Sequence, residues 1–110
     1  MDVYGIYFDF ARDVPRAESE PVLRDIADLL VAHRDWTLAI NGHTDNVGGV
    51  EANLALSQRR SEAVRRALIE RYGIDAGRLT TAGFGASQPK ATNETIEGRA
   101  KNRRVELVRQ

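Results

Sequence analysis

The chain has 110 residues, with 16 basic and 16 acidic side chains, 42% hydrophobic residues and no cysteine, the make-up of one ordinary globular domain spanning 1–110. Lack of cysteine excludes a disulfide scaffold and any thiolate metal site, and the two histidines, His33 and His43, are too far apart in sequence to suggest a His-rich centre. A formal net charge of zero gives no global field for nucleic acid or anionic lipid; no apolar run approaches the roughly 18 residues of a membrane span, and no signal-peptide pattern opens the chain, so an exported native protein would contain it as a piece.

Val3 to Phe10 alternates Tyr4, Ile6, Phe8 and Phe10 against Gly5, Tyr7 and Asp9, the period of a strand. Arg12 to Pro21 is a connection into a helix that starts near Ser19, with Pro21 in the first turn where its missing N–H costs nothing. Leu23, Ile26, Ala27, Leu30 and Val31 carry that helix to about His33. A second strand runs from Trp36 to His43, with Trp36, Leu38 and Ile40 on one face. The loop from Gly42 to Val50 holds three glycines. A longer helix follows from about Glu51 to Tyr72 and stops at Gly73, a left-handed cap. Arg78 to Phe84 predicts a third strand, a short helical turn begins after Thr95, and Arg104 to Val108 predicts a fourth. Strands alternating with helices imply βαβ units, a largely parallel sheet and right-handed crossovers.

In that architecture the loops after strand C-termini form the binding edge, and the first two strands end at Asp9 and Asp45, so both carboxylates are expected on one rim. Paired acids suggest acid/base chemistry or a hard cation, but no third or fourth oxygen ligand is evident, and Asp45 equally suits a turn beside glycine. The long helix is more informative. With Leu56 at zero on the wheel, Ala67, Ala63, Val64 and Ala52 define an apolar stripe, and Arg60 at about 40° and Asn53 at about 60° fall on it. A guanidinium on a buried face must be paired, with Asp45 or Asp9 as the natural partner, so Arg60 is either a structural ion-pair member or a group that grips a ligand. Arg71 also falls near the stripe, but at the helix end where it can reach water. His43 has no nucleophile placed beside it by a motif and reads as a packed residue. Neither Gly42 to Gly49 nor Gly83-Phe84-Gly85 spells a phosphate-binding loop. Arg103 and Arg104 enter a strand on opposite faces without interleaved aromatics, which speaks against nucleic acid.

Together the residues spell a longer pattern: Gly42-His43-Thr44-Asp45, Gly48, Asn53, Leu56-Ser57, Arg60, Val64 and Leu68, then Gly73-Ile74, Arg78-Leu79, Gly83, Gly85, Pro89 and Asn93, and finally Gly98-Arg99-Ala100 and Asn102-Arg103-Arg104-Val105-Glu106. This resembles the OmpA-like C-terminal domain, shared with peptidoglycan-associated lipoprotein and flagellar stator B subunits. The likeness covers nearly the whole chain, and its motifs, G-H-T-D-x-x-G-x-x-x-x-N-x-x-L-S-x-x-R and N-R-R-V-E, are long and ordered. Ser61 stands where alanine is common.

The resemblance implies an α/β two-layer sandwich, βαβαβ(α)β in order, with a mixed sheet of about four strands packed by two main helices. It implies a periplasmic or cell-envelope module that binds the diaminopimelate end of the peptidoglycan stem non-covalently, with no cofactor, metal, nucleic acid or membrane insertion. Asp45 would meet the ligand's ammonium and Arg60 its carboxylate. Asp9, Phe10 and Ala11 would line the same cleft, Thr44 would offer polar contacts, and Asn53, Leu56 and Ser57 would shape its floor. Arg99, Asn102 and Arg104 are expected chiefly to fix the last strand. The competing reading is a peptidoglycan hydrolase acting through Asp9 and Asp45; a third is a domain that kept the fold without binding. Homodimerisation is left open.

Overall fold

A computed structural model describes residues 3–110. The strands and α-helices among them follow in chain order: β1 (Val3–Tyr7), α1 (Glu20–Ala32), β2 (Leu38–Gly42), α2 (Val50–Tyr72), β3 (Leu79–Gly83), α3 (Ile96–Asn102) and β4 (Arg104–Arg109). Pro21 sits in the first turn of α1, Gly73 caps α2 at φ 68°, and the Thr95 side chain accepts from the Gly98 N–H to start α3.

The sheet order is β1-β4-β2-β3. Only β2 and β3 pair in parallel, because β4 inserts between β1 and β2 antiparallel to both. The largely parallel sheet expected from the alternation of elements is therefore corrected to a mixed one. Three strands do run the same way, but the last strand separates β1 from β2. Its start lies at the end of the sheet where β1 and β2 finish, since Tyr7 pairs with Arg104 and Gly42 with Val105.

One face of the sheet supplies Ile6, Leu38, Ile40, Leu79, Val105 and Leu107 to a core completed by Leu23, Ile26, Ala27 and Leu30 of α1 and Val64 and Leu68 of α2. Phe10 does not continue the β1 pattern. Regular pairing stops at Tyr7, the chain turns at Ala11 with φ 58°, and Phe10 is left 57% exposed.

The buried face of α2 is also displaced from the apolar stripe. Asn53, Ser57, Arg60, Ser61, Val64 and Leu68 are buried, at about 40° to 140° on the wheel, whereas Ala52 is exposed and Leu56, Ala63 and Ala67 are only partly covered. Close approach to the sheet explains the shift. A Cβ on Gly42 would run into the Ser57 carbonyl, and one on Gly83 would lie 2.7 Å from Ser57 Oγ. Small side chains on the helix and missing ones on the strands let the backbones approach, and the serine hydroxyls find carbonyls there: Ser57 Oγ donates to Leu54 O at 2.8 Å and Ser61 Oγ to Ala82 O at 2.9 Å.

Candidate functional site

At the end of the sheet where β1 and β2 finish, a cleft of about 290 Å³ is lined by Phe10 and Ala11 on one side, Thr44, Asp45, Val47 and Gly48 on another, and Asn53, Leu56 and Arg60 from α2. Ala52 and Arg59 of α2 and Arg103, immediately before β4, complete it. The sequence pattern contains Arg103 but, of the two adjacent arginines, gives a supporting role only to Arg104. The sequence signal of Arg103, a second arginine beside Arg104, carries no information about which end of the sheet β4 begins at; only strand insertion brings it here.

Asp45 is 3% exposed. Its Oδ1 accepts from the Val47 N–H at 3.0 Å and its Oδ2 from Arg103 Nη1 at 3.3 Å. The loop holding it is tied down by Thr44, whose hydroxyl donates to Asp45 O at 2.7 Å and whose N–H reaches Gly85 O at 2.9 Å. Asn53 Nδ2 donates to Val47 O at 3.2 Å and Asp45 O at 3.4 Å. The turn role and the position on the cleft thus coexist in one residue.

Arg60 is fully buried. Neither carboxylate pairs with it. Its Nε donates to Arg12 O at 2.8 Å, Nη1 to His43 O at 2.9 Å and Nη2 to Asp9 O at 3.1 Å, and its Cζ lies 5.1 Å from the centre of the Phe8 ring. The chain leaves the sheet at the ends of β1 and β2, where carbonyls lose their ladder partners, and the planar guanidinium fork satisfies three of them. Of its five N–H groups, one on each terminal nitrogen is left over. Burial lowers the Arg60 pKa to about 10, the Asp45 charge opposing and the Arg103 charge reinforcing, so it stays cationic at neutral pH.

Asp9 corrects the expectation of two acids on one rim. Its side chain is 62% exposed and bound to Arg16 Nη1 at 2.8 Å; Asp45 is the carboxylate that lines the cleft, and Asp9 contributes a carbonyl to Arg60. Ser57 is likewise not part of the cleft. It is sealed against the sheet, where its Oγ accepts from the Gly85 N–H at 2.9 Å.

Asn102, Arg104 and Arg99 lie together behind the sheet end. Asn102 Oδ1 accepts from the Lys90 and Ala91 N–H groups at 2.8 and 2.9 Å, and its Nδ2 donates to Ala91 O and Asn93 Oδ1. Arg104 bonds Glu106 Oε2 at 2.9 Å and Gln88 O at 3.1 Å, and Arg99 donates to Asn93 O at 2.9 Å. His43 packs on that side, 2% exposed and stacked on Phe84, with its Nδ1 unpartnered. Burial, reinforced by the Arg104 charge and opposed by Glu106, lowers its pKa from 6.5 to about 4. Among the described residues no group of His, Asp and Glu is placed to hold a metal ion, and no helix is long and apolar enough to cross a membrane.

The OmpA family model matches residues 7–103. The chain belongs to the OmpA family. Relatives include outer membrane porin F of Pseudomonas aeruginosa, 41% identical over 101 residues that make up 92% of this chain and 29% of the porin. Peptidoglycan-binding protein ArfA of Mycobacterium tuberculosis is 45% identical over 87 residues, 79% of this chain and 26% of that protein. The chain thus spans less than a third of either relative's length. The crystal structure of the peptidoglycan-associated lipoprotein from Burkholderia pseudomallei superposes with a TM-score of 0.91 at 36% identity, covering 96% of this chain and 89% of that one. The four-stranded mixed sheet with three helices is that of this OmpA-family relative.

Proposed function

We propose that this chain is one non-catalytic, cell-wall anchoring domain that works in the periplasm and grips the diaminopimelate end of the peptidoglycan stem. The observation that carries the reading is the charge arrangement of the cleft: one buried carboxylate, Asp45, together with buried Arg60 and largely buried Arg103. A head group with one ammonium and one carboxylate answers that arrangement. The ammonium meets Asp45, whose contact with Arg103 at 3.3 Å is long for a charge-assisted bond and leaves acceptor capacity. The carboxylate meets the spare N–H groups of Arg60. Phe10, Ala11 and Leu56 cover the ligand's methylenes, while Thr44 and Asn53 hold the loop that presents Asp45. Family membership and the names of ArfA and the lipoprotein support a peptidoglycan ligand.

A hydrolase using paired carboxylates loses its second acid, because the Asp9 side chain turns to Arg16. The test is calorimetric titration with a diaminopimelate-containing muropeptide. Wild type binds; Asp45→Asn, which preserves shape and removes the charge, loses at least about tenfold, equal to roughly 1.4 kcal/mol. Arg60→Ala, which also takes a hydrogen bond from three carbonyls and so costs stability, loses as much affinity in the fraction that circular dichroism shows to be folded. Release of soluble muropeptides from purified sacculi, or wild-type binding unchanged in both variants, would overturn the reading.

A further inference from the structure

We propose that the cleft is the inner end of a longer site: the bound stem leaves it across Arg59 into a trough along the outer flank of α2, where a second ligand carboxylate is held. This inference rests on the peptidoglycan reading above and adds the part of the stem beyond diaminopimelate.

Two depressions adjoin the cleft, and they differ in chemistry. One shares Gly48 and Asn53 with it and is walled by Val50, Leu54, Phe84 and Ala86, with no charged side chain. The other, of about 310 Å³, shares Arg59 with the cleft and runs between α2 and the segment joining β1 to α1. Its floor is apolar, from Val14, Leu23, Ala63 and Ala67, and its rim carries both signs, Arg59, Arg66 and Arg71 alternating with Asp13, Glu62 and Glu70, so an anion is held only where it lies against an arginine.

On the helix wheel Arg59 and Arg66 fall about 20° apart and two turns along, so they form one row leading away from the cleft. Both are available to an incoming anion. Arg59 meets Asp13 at 3.4 Å with the two side chains 55% and 47% exposed, a long, solvent-screened pair of the kind that contributes little and exchanges readily. Arg66 makes no ion pair among the described residues, whereas Arg71 at the far end is engaged by Glu20.

In the peptidoglycan stem the residue before diaminopimelate is a glutamate joined through its side-chain carboxyl, which leaves its α-carboxylate free. In the uncharged depression that carboxylate would find only the amides of Asn46 and Asn53 and the Ser87 hydroxyl, and no counter-charge. Across Arg59 it gains a guanidinium, and its alanyl neighbour meets the apolar floor.

Calorimetry on the whole chain with three probes tests this: free meso-diaminopimelate, the tripeptide L-alanyl-γ-D-glutamyl-diaminopimelate, and the same tripeptide with the glutamyl α-carboxylate amidated. Wild type is expected to prefer the acidic tripeptide over the amidated one by about threefold to fivefold, the scale of an exposed charge pair. That ratio should fall to one in Arg59→Ala and in Arg59→Gln. The ratio is the readout because a general change in cleft potential alters both tripeptides alike. Equal binding of the two tripeptides by wild type, or a preference that survives in both Arg59 variants, overturns the trough while free diaminopimelate binding leaves the anchoring reading standing. Failure of all three probes to bind removes both.

Discussion

Arg60 and Arg104 are both buried arginines near the same end of the sheet, yet their surroundings differ in one respect. Arg104 has a carboxylate of its own, Glu106 at 2.9 Å, and sits in a closed cluster with Asn102 and the Gln88 carbonyl. Arg60 has only neutral carbonyls for direct hydrogen-bond partners, and the nearby acid, Asp45, is turned to Arg103 and to the Val47 N–H. A buried cation with an internal counter-ion is a strut. One held by carbonyls keeps its charge without neutralising it, and an anion from outside can complete it. The cluster behind the sheet is therefore expected to govern stability, and the cleft to govern affinity.

The strongest test of that division is Asn102→Ala, which removes four hydrogen bonds of a fully buried side chain and takes a partner from the Lys90 and Ala91 N–H groups, the Ala91 carbonyl and Asn93 Oδ1. Chemical denaturation should show a loss of about 3 to 4 kcal/mol, with muropeptide affinity of the folded fraction unchanged. A variant that folds normally but binds weakly would assign the cluster to the site instead.

Next in size is the pH dependence set by His43. Its folded pKa, about 4, lies below the ordinary 6.5, so between those values the unfolded chain binds more protons and stability rises with pH. The contribution is fully present above about 6.5 and is lost as pH falls toward about 4, amounting to roughly 3 kcal/mol across the window. Urea midpoints at pH 7 and pH 4.5 should separate more for wild type than for His43→Leu; equal separations would exclude His43 as the source.

Within the cleft, the charge arrangement predicts that amidating the carboxylate of the diaminopimelate head group weakens binding by about tenfold, since a neutral amide leaves the Arg60 charge uncompensated. Equal affinity for both forms would break the assignment of Arg60. Smallest of all is Asp9→Asn. Because its side chain lies outside the cleft in an exposed pair with Arg16, stability should move by less than about 1 kcal/mol and muropeptide affinity should stay constant. A large loss of affinity would return Asp9 to the site.

These contrasts show where the sequence is legible. Arg60 stands out because a charged residue on a face bound for the core conflicts with burial, and that conflict can be seen on a wheel. The centre of the face could not, because hydrophobicity ranks Leu56 and Ala63 above Ser57 and Ser61, while close packing on Gly42 and Gly83 favours the serines. Asp9 departs from the shared rim for a similar reason: its position at the end of β1 is local, but its direction is decided by Arg16, seven residues on. The turn at Asp45 is local and legible, since its partner Val47 lies within two residues.

By itself the sequence determined the helices and strands to within a few residues, the cap at Gly73, the burial of Arg60 and Asn53 and the family pattern, all of which arise from short-range periodicity and side-chain chemistry. Tertiary structure alone decided that β4 lies between β1 and β2, that Arg103 thereby enters the cleft beside Asp45, and that Arg60 is held by the carbonyls of Asp9, Arg12 and His43. Strand order depends on pairings 63 to 105 positions apart, and the partners of Arg60 lie 17 to 51 positions away, across which local preference carries no direction.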